Sequence, residues 1–459
     1  MMRDDVLALL GDTHSIVRQP RVRVEPADAN ALRAYHALRK RVFVDQQCLF
    51  DGHDLDDRDA DPRTLVLVAR RLCDGAVLGG VRAGPAIGGE DLGWWVGGRL
   101  VTAPDAGSGV GSALVRAACG HAEAAGVLRF EAAVQAQHEP FFTHLGWQLV
   151  RPLEHAHLLM RWPLPRITKL LASTKQGLGP MLAGWSGLTG FFGDDGVPVP
   201  GSDLVAACDA VVPAMVERDP EWAGWCSVLV NLNDMAAMGA EPTGLLDAVA
   251  GRDRSFVSRV LTGLRSASQA YDVPVLGGHT QFHAPASLAV TALGRAEAPV
   301  PGGGARPGQH ITANLDLGGR WRPGYHGRQW DSTSSRRTPE LRSMLAAVGK
   351  ARPAAAKDVS MAGAVGTLGM LAEACGCRAV LDVDRVPRPP GASAGDWLTC
   401  FPGFGMLTAD DPAAQPPPAA PATSAVCGEL VPGTGVELRW PDGETTPAIP
   451  AAVTGWGTT

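Results

Sequence analysis

The chain has 459 residues, 45% of them apolar and 19% charged, with a net charge of −6. That length holds two or three domains with cores of their own, and the apolar share excludes a disordered chain. Both signs of charge are scattered without a basic run, which argues against nucleic acid, and no apolar stretch is long enough to cross a membrane.

Residues 1–20 read as a loosely ordered lead-in, and Met1-Met-Arg-Asp-Asp5 lacks a signal-peptide core, so the cytoplasm is the expected compartment. From Arg21 to Leu164 strand and helix patterns alternate. Strands are expected at Val22–Val24, Thr64–Ala69, Val77–Arg82, Trp94–Val101 and Arg129–Val134, with Leu145–Val150 and His157–Trp162 closing the sheet. Helices are expected over Ala29–Val42 and from about Gly109 to Ala125. Pro163 and Pro165 open a polar stretch, 165–180, that reads as a linker. Residues 181–300 and 301–409 read as two halves of a further domain, parted at Pro301-Gly-Gly-Gly-Ala-Arg-Pro-Gly308. Residues 410–459, with Pro416-Pro-Pro418, read as mostly irregular, with one strand near Val436–Arg439.

The glycine-rich turn Ala106-Gly-Ser-Gly-Val-Gly-Ser112 lies between a strand and a helix. Glycine there lets the backbone approach a ligand, and the helix start presents unpaired N–H groups to an anion such as a pyrophosphate. Arg41-Val-Phe-Val-Asp-Gln-Gln47 precedes it and Phe141-Phe-Thr-His-Leu-Gly-Trp147 follows. In this order the segments resemble the GNAT acyltransferases. The resemblance implies acyl-CoA, with acetyl-CoA as the expected form, bound by Gly107, Ser108, Gly109, Val110, Gly111 and Ser112. It also implies pantetheine pairing with the strand at Leu100 and Val101. Three positions depart from the family: Ala106 opens the turn, Phe142 stands where a proton-donating Tyr is usual, and His138 where Asn is frequent. His138, His144 and Glu131 are the candidate catalytic acids or bases, since imidazole titrates near neutrality and a carboxylate can be tuned to it. The aspartate-rich run Asp51–Asp61 reads either as a solvated loop or as an attractor for a cationic amine.

The second region carries carboxylates on glycine-rich turns, as a Mg²⁺–nucleotide site requires, because Mg²⁺ prefers oxygen ligands and bridges carboxylates to phosphates. Phe192-Gly-Asp-Asp-Gly-Val197 comes first, then Asp209, then Asn231-Leu-Asn-Asp234, then Leu276-Gly-Gly-His-Thr280. This order resembles the ATP-binding superfamily of AIR synthase, thiamine-monophosphate kinase, selenophosphate synthetase and the hydrogenase-maturation dehydratases. It implies Asp194, Asp195, Asp209 and Asp234 on the metal, with Asn231, Gly277, Gly278 and Thr280 on the nucleotide. His279 replaces a frequent Asp, as in the selenophosphate synthetase branch, but Thr174-Lys-Gln-Gly-Leu-Gly179 lacks that branch's reactive Cys. In Lys357-Asp-Val-Ser-Met-Ala-Gly363 the second Asp of the family's pattern is Met361. Cys375-Gly-Cys377 has no matching pair at zinc spacing and reads as small residues near a helix end.

The fold class expected is therefore α/β and α+β: an N-terminal GNAT-like mixed sheet with helices, then a PurM-like two-half α+β domain. The arrangement resembles fusion proteins of a bacterial operon that also encodes a nitrilase, which would supply pathway partners. The expected protein is a bifunctional enzyme, an acyl-CoA-dependent N-acyltransferase fused to a Mg-ATP-dependent phosphotransfer or dehydration domain acting on a small metabolite. The alternatives are a binding scaffold with one or both sites decayed, suggested by Ala106, Phe142 and Met361, and an ATP enzyme regulated by acyl-CoA. A homodimer formed through 191–294 is expected, because relatives pair two such sheets.

Overall fold

A computed structural model of the chain describes residues 22–182, 184, 190, 191 and 193–456. The expected lead-in, 1–20, and Phe192 lie outside them. The chain divides into two compact units, Met1–Leu164 and Pro165–Thr459.

The first unit is built on seven strands: β1 (Val22–Pro26), β2 (Leu65–Arg71), β3 (Val77–Pro85), β4 (Trp94–Thr102), β5 (Arg129–Gln135), β6 (Gln148–Leu153) and β7 (His157–Trp162). Their spatial order is β1-β2-β3-β4-β5-β7-β6. β3 is buried along nearly its whole length because helices cover both faces of the sheet. Leu114, Ala118 and Ala122 of the helix Val110–Ala124 belong to one apolar cluster, and Tyr35 and Leu38 of the helix Ala29–Arg39 to another. Burial on both faces makes such a strand read as a continuous apolar run. The first helix is α-helical only to Arg39; it continues as a π-helical stretch, Lys40–Gln46.

β4 and β5 are the parallel pair, and only Trp94–Gly97 pairs with Arg129–Ala132. Beyond those residues the strands part. Arg99 has φ of 54°, a conformation that L residues rarely adopt, and the β3–β4 register slips between Gly80 and Arg82. Such irregularities bend a strand and increase its twist. A cavity of about 550 Å³ lies where the strands diverge, lined by Gly98 to Thr102 on one side and Ala133 to Gln135 on the other.

The aspartate-rich run is neither a free loop nor a bare negative patch. Arg39 donates to Asp54 at 2.7 Å and to Asp59 at 2.6 Å, Arg82 meets Asp56 and Asp59 at 2.6 and 2.7 Å, and Arg99 reaches Asp56 at 3.2 Å. Arg39 is fully buried. Three guanidinium groups thus consume Asp54, Asp56 and Asp59, which leaves little field to draw in a cationic amine.

The second unit holds two larger sheets. The first comprises β8 (Val197–Pro198), β9 (Leu204–Ala210), β10 (Glu241–Gly251), β11 (Val275–Phe282) and β12 (Ser287–Arg295), in the order β11-β10-β12-β9-β8. Helices Pro220–Ala237 and Arg254–Tyr271 pack closely together beside it. A Cβ at Gly263 would overlap the Glu221 carbonyl, and one at Gly224 the Val260 carbonyl. Glycine on both helices permits that approach.

After a two-stranded ribbon of β14 (Arg320–Trp321) and β15 (Trp330–Asp331), the remaining strands join β13 (His310–Leu315). They are β16 (Ala355–Asp358), β17 (Arg378–Asp382), β18 (Gly405–Asp410), β19 (Thr423–Val431), β20 (Gly435–Arg439) and β21 (Thr445–Ile449). They form one sheet in the order β16-β18-β13-β19-β17-β20-β21.

Two sequence expectations are corrected. Residues 165–180 are not a free linker: the helix Arg166–Thr174 is amphipathic and buries Ile167 and Leu171, so its polar composition describes one face only. Residues 410–459 lie mostly outside strands and helices, as expected, but hold more strand than the one expected. Besides the strand expected near Val436–Arg439 they contribute β19 and β21, whose Thr, Val and Ile residues are interspersed with Ala, Gly and Pro. Cys375 caps the helix Gly363–Ala374 and Cys377 is buried beyond it.

The arginine-held run yields a test. Burial opposes charge on Asp59, but Arg39 and Arg82 prevail and hold its pKa below the ordinary carboxylate value. A depressed folded-state pKa contributes stability that is complete above about pH 4 and is lost as pH falls toward the folded value. Asp59→Asn should lower the stability of the first unit by about 3–5 kcal/mol at neutral pH, because it leaves Arg39 buried with one partner fewer. The deficit should shrink on acidification, measured by urea denaturation across pH 3–7.

Candidate active site

The acidic positions converge in the second unit. Asp195, Asp234 and Asp358 each offer an oxygen, and these lie within 4.8 Å of one another. Three different elements deliver them. Asp195 lies on the turn before β8, Asp234 near the end of the helix Pro220–Ala237, and Asp358 at the end of β16 in the other sheet.

Asp234 is nearly buried, because the helix carrying it is apolar on almost every side. Asp358 is also buried, and its Oδ2 has no hydrogen-bond partner. An unpartnered buried carboxylate oxygen is costly and is usually held by a cation or hydrogen bond. Burial first, then the neighbouring carboxylates, raise the pKa of Asp234 and of Asp358 well above the ordinary range. The donor set is all oxygen, as a hard divalent cation such as Mg²⁺ requires. The residues fit that ion.

Asp194 does not join the three. Its Oδ2 accepts from Gly302 N at 2.9 Å and its Oδ1 lies 3.7 Å from Lys357 Nζ. Lys357 also donates to the Gly193 carbonyl at 2.9 Å and lies 3.3 Å from Asp195 Oδ1. Burial works against the charge of Lys357, but Asp195 and Asp194 hold its pKa above the usual value. Asp194, expected on the metal, is thus ion-paired in this geometry, and Asp358 joins Asp195 and Asp234 in the close group. Only its place beside Ser360, in a pattern whose second Asp is Met361, pointed to Asp358.

Asp209 lies on β9 and is half-buried; burial raises its pKa, opposed by Lys175. It is near enough to influence Asp234 and Asp358, yet outside the close group. Asn231 precedes Asp234 by one helical turn; its Nδ2 donates to the Ser227 carbonyl at 2.8 Å while Oδ1 has no partner.

Gly277, Gly278 and Thr280 are not brought to these carboxylates. They lie on β11, at the sheet edge. Asp209 pairs with Val290, Val290 with Asp247 and Asp247 with Gly278, so Gly278 stands three strand spacings away. At about 4.8 Å per spacing that is roughly 14 Å. The glycine signal in the sequence reported a strand permitting close backbone approach without reporting its place in the sheet.

In the first unit the cavity is lined by Leu100, Val101, Gly107, Gly111 and His138, among others. Gly107 and Gly109 have φ of 77° and 96°. The helix begins at Val110, so its unpaired N–H groups fall at Val110 and Ser112 as well as Gly111, while Ser108 belongs to the turn itself. Phe142 is buried against Trp147.

Two of the three catalytic candidates are placed elsewhere. His144 is exposed and outside the cavity lining. Glu131 is buried and held by Arg129 at 2.9 Å, by Arg161 at 2.5 Å and by Trp94 Nε1 at 3.2 Å, which makes it an ionic anchor and not a free base.

With this geometry described, known proteins add their likeness. Residues 193–296 match the family "AIR synthase related protein, N-terminal domain". An uncharacterized protein of Synechocystis, sll0787, is 34% identical over 222 residues, which span 47% of this chain and 69% of that one. The chain belongs to the family of that protein.

A thiamine-monophosphate kinase of Caulobacter vibrioides is 32% identical over 218 residues, 43% of this chain and 60% of the kinase, so the chain spans less than two thirds of that relative. Among solved structures, T. maritima PurL complexed with AMPPCP is similar with a TM-score of 0.50 at 18% identity, over 63% of this chain and 51% of that one. At that identity the likeness is one of fold. The second unit thus contains a PurM-like domain of mixed α and β structure. Among the described residues no helix is long and apolar enough to cross a membrane.

The crowding of buried carboxylates sets a measurable expectation. Asp234→Asn removes a charge that is destabilised by burial and by its neighbours, so the metal-free variant should be more stable than wild type. It should also lose most of the stabilisation that Mg²⁺ gives the wild type. Differential scanning calorimetry with EDTA and with Mg²⁺ checks both signs.

Proposed function

We propose that the second unit binds a magnesium nucleotide and transfers its terminal phosphoryl group to, or uses it to activate, a small metabolite. The observation that carries this reading is the meeting of Asp195, Asp234 and Asp358 within 4.8 Å, with a buried Asp358 oxygen lacking a partner. Asp195, Asp234 and Asp358 would hold a divalent cation there, whose chemistry is to neutralise charge developing on a phosphoryl group, which is most of what phosphoryl transfer asks of a protein. The protein's own part is positional: Gly302 N and Lys357 fix Asp194, Lys357 and Asp358 N fix Asp195, and Asp209 and Lys175 set the surrounding field. The AIR synthase related family and the kinase relative favour the same chemistry.

For the first unit we propose acyl-CoA binding and transfer to a small amine. The parting of β4 from β5 favours it, because backbone groups at Leu100 and Val101 are left without a β5 partner beside a cavity of ligand size. The first turn of the helix Val110–Ala124 suits a pyrophosphate. His138 lines the cavity and is the remaining candidate for proton transfer, since Phe142 cannot supply one.

In a thermal-shift experiment Mg-ATP should stabilise the protein by about 2.7 kcal/mol at a hundredfold excess over its dissociation constant. Asp234→Ala should abolish that shift and leave any acetyl-CoA shift intact. A wild type indifferent to Mg-ATP defeats the nucleotide reading, and one indifferent to acetyl-CoA defeats the other.

A homodimer through the first sheet of the second unit is part of this proposal. All eight residues of β11 are exposed, and Val275, Leu276 and Phe282 are large apolar side chains on it. An exposed apolar edge strand invites pairing with another chain. A second copy there would also bring Gly277, Gly278 and Thr280 within reach of a nucleotide, which their own chain's carboxylates lie too far away to share. Leu276→Asp should convert dimer to monomer and weaken nucleotide binding at least tenfold, read by light scattering and calorimetry. A wild-type monomer at micromolar concentration contradicts it.

A further inference from the structure

We propose that the ammonium group of Lys357 is a counter-ion built into the acidic site, standing beside Asp194 and Asp195 where a second cation would otherwise sit and restricting the site to a single divalent ion on Asp195, Asp234 and Asp358. This inference rests on the nucleotide–metal reading above, which asks of Lys357 only that it place Asp194 and Asp195, and adds to it a limit on the number of cations.

Lys357 is an unusual occupant of the site. Its side chain is 3% exposed and that of Asp194 2%. An ammonium has three donors: that of Lys357 donates to the Gly193 carbonyl at 2.9 Å and to Asp195 Oδ1 at 3.3 Å, and it faces Asp194 Oδ1 as an ion pair at 3.7 Å. The opposite wall is shaped for this group. A Cβ at Gly302 would overlap Asp194 Oδ1 and stand 2.9 Å from Lys357 Cε, while Gly302 N donates to Asp194 Oδ2. Asp194 is therefore engaged through both oxygens, one on a peptide N–H and one facing the ammonium. Any cation that Asp194 could ligate would have to displace the Lys357 side chain from an enclosed space.

Charge balance leads to the same count. With divalent cations bound, Asp194, Asp195, Asp234 and Asp358 would all be ionised, and two such ions would neutralise their four charges. With Lys357 present, three negative charges remain and one divalent cation reduces them to one. The second ion would then meet little net attraction and no unoccupied carboxylate at the Asp194 side. Asp195 is the shared member of the two positions: its Oδ1 faces the ammonium, its Oδ2 accepts from Asp358 N at 2.8 Å, and it contributes an oxygen to the three-carboxylate group.

The test counts Mn²⁺ bound to the full chain, without nucleotide, from the loss of the free-ion electron paramagnetic resonance signal. Wild type should hold one Mn²⁺ per chain, and Lys357→Met two, because Asp194 and Asp195 then form an uncompensated pair. Lys357→Arg, which keeps the charge, should return one. Two or more ions on the wild type, or one ion on a folded Lys357→Met protein, overturns the inference while leaving the metal reading in place. No Mn²⁺ on the wild type overturns both. Should Lys357→Met fail to fold, as judged by circular dichroism, Asp194→Asn/Lys357→Met removes both partners together and should hold one ion; a count of two on that protein overturns the proposal.

Discussion

The second unit is organised around carboxylates that repel one another in a space water scarcely reaches. Asp234 and Asp358 arrive from different sheets and helices, and burying either alone would cost several kcal/mol unless the charge were neutralised or paired. The fold relieves part of that cost internally. Lys357 and Gly302 N take Asp194, and Lys357 with Asp358 N takes Asp195. What remains is a set of oxygen ligands that gains most from a divalent cation. A cation bound there would couple stability to ligand binding, since it would offset the cost of the empty arrangement.

The same logic, with the opposite outcome, runs through the first unit. Asp54, Asp56 and Asp59 are as dense in sequence as the acidic turn of the second unit, yet Arg39, Arg82 and Arg99 compensate them fully. The cluster is a scaffold. It pins the segment after the π-helical stretch to β3 and β4, and so helps hold Arg99 in its left-handed conformation at the point where β4 leaves β5. Charge density in a sequence does not separate these cases, because the answer depends on which cations the fold returns to the spot. Arg39 lies 15 residues before Asp54 and Arg99 lies 45 residues after it; only the assembled sheet brings them together.

The sequence was most informative where local rules suffice. The strands of the first unit were legible from apolar runs, with Leu145–Val150 displaced to Gln148–Leu153, and the turn before Val110 from its glycines. Two acidic positions of the close group, Asp195 and Asp234, were legible from their motifs. Asp358 was obscured because the position that would complete its pattern is Met361, and the ion pair of Asp194 was not legible because nothing local says that Lys357, 163 residues later, will fold beside it. The helix Arg166–Thr174 and strands β19 and β21 were missed for a different reason. Their apolar residues are few, and each element is held by one face or one edge of a sheet already formed, so composition around them reads as loop.

The placement of β11 shows how far a single chain can account for its own motifs. Its Leu-Gly-Gly-His-Thr segment reads as part of a ligand site, but the order β11-β10-β12-β9 puts three strand spacings between Gly278 and Asp209. Gly278 already has a local reason to be glycine, since a Cβ there would overlap Asp247. Leu276 packs over Gly244 and Phe282 faces the Arg254 guanidinium, yet Leu276 is still 58% exposed and Phe282 39% exposed. Apolar side chains left in water along an unpaired edge lower the solubility of a monomer, and burying them against an equivalent edge removes that cost. One surface would then serve both assembly and recognition, and nucleotide affinity would depend on protein concentration wherever the dimer dissociates.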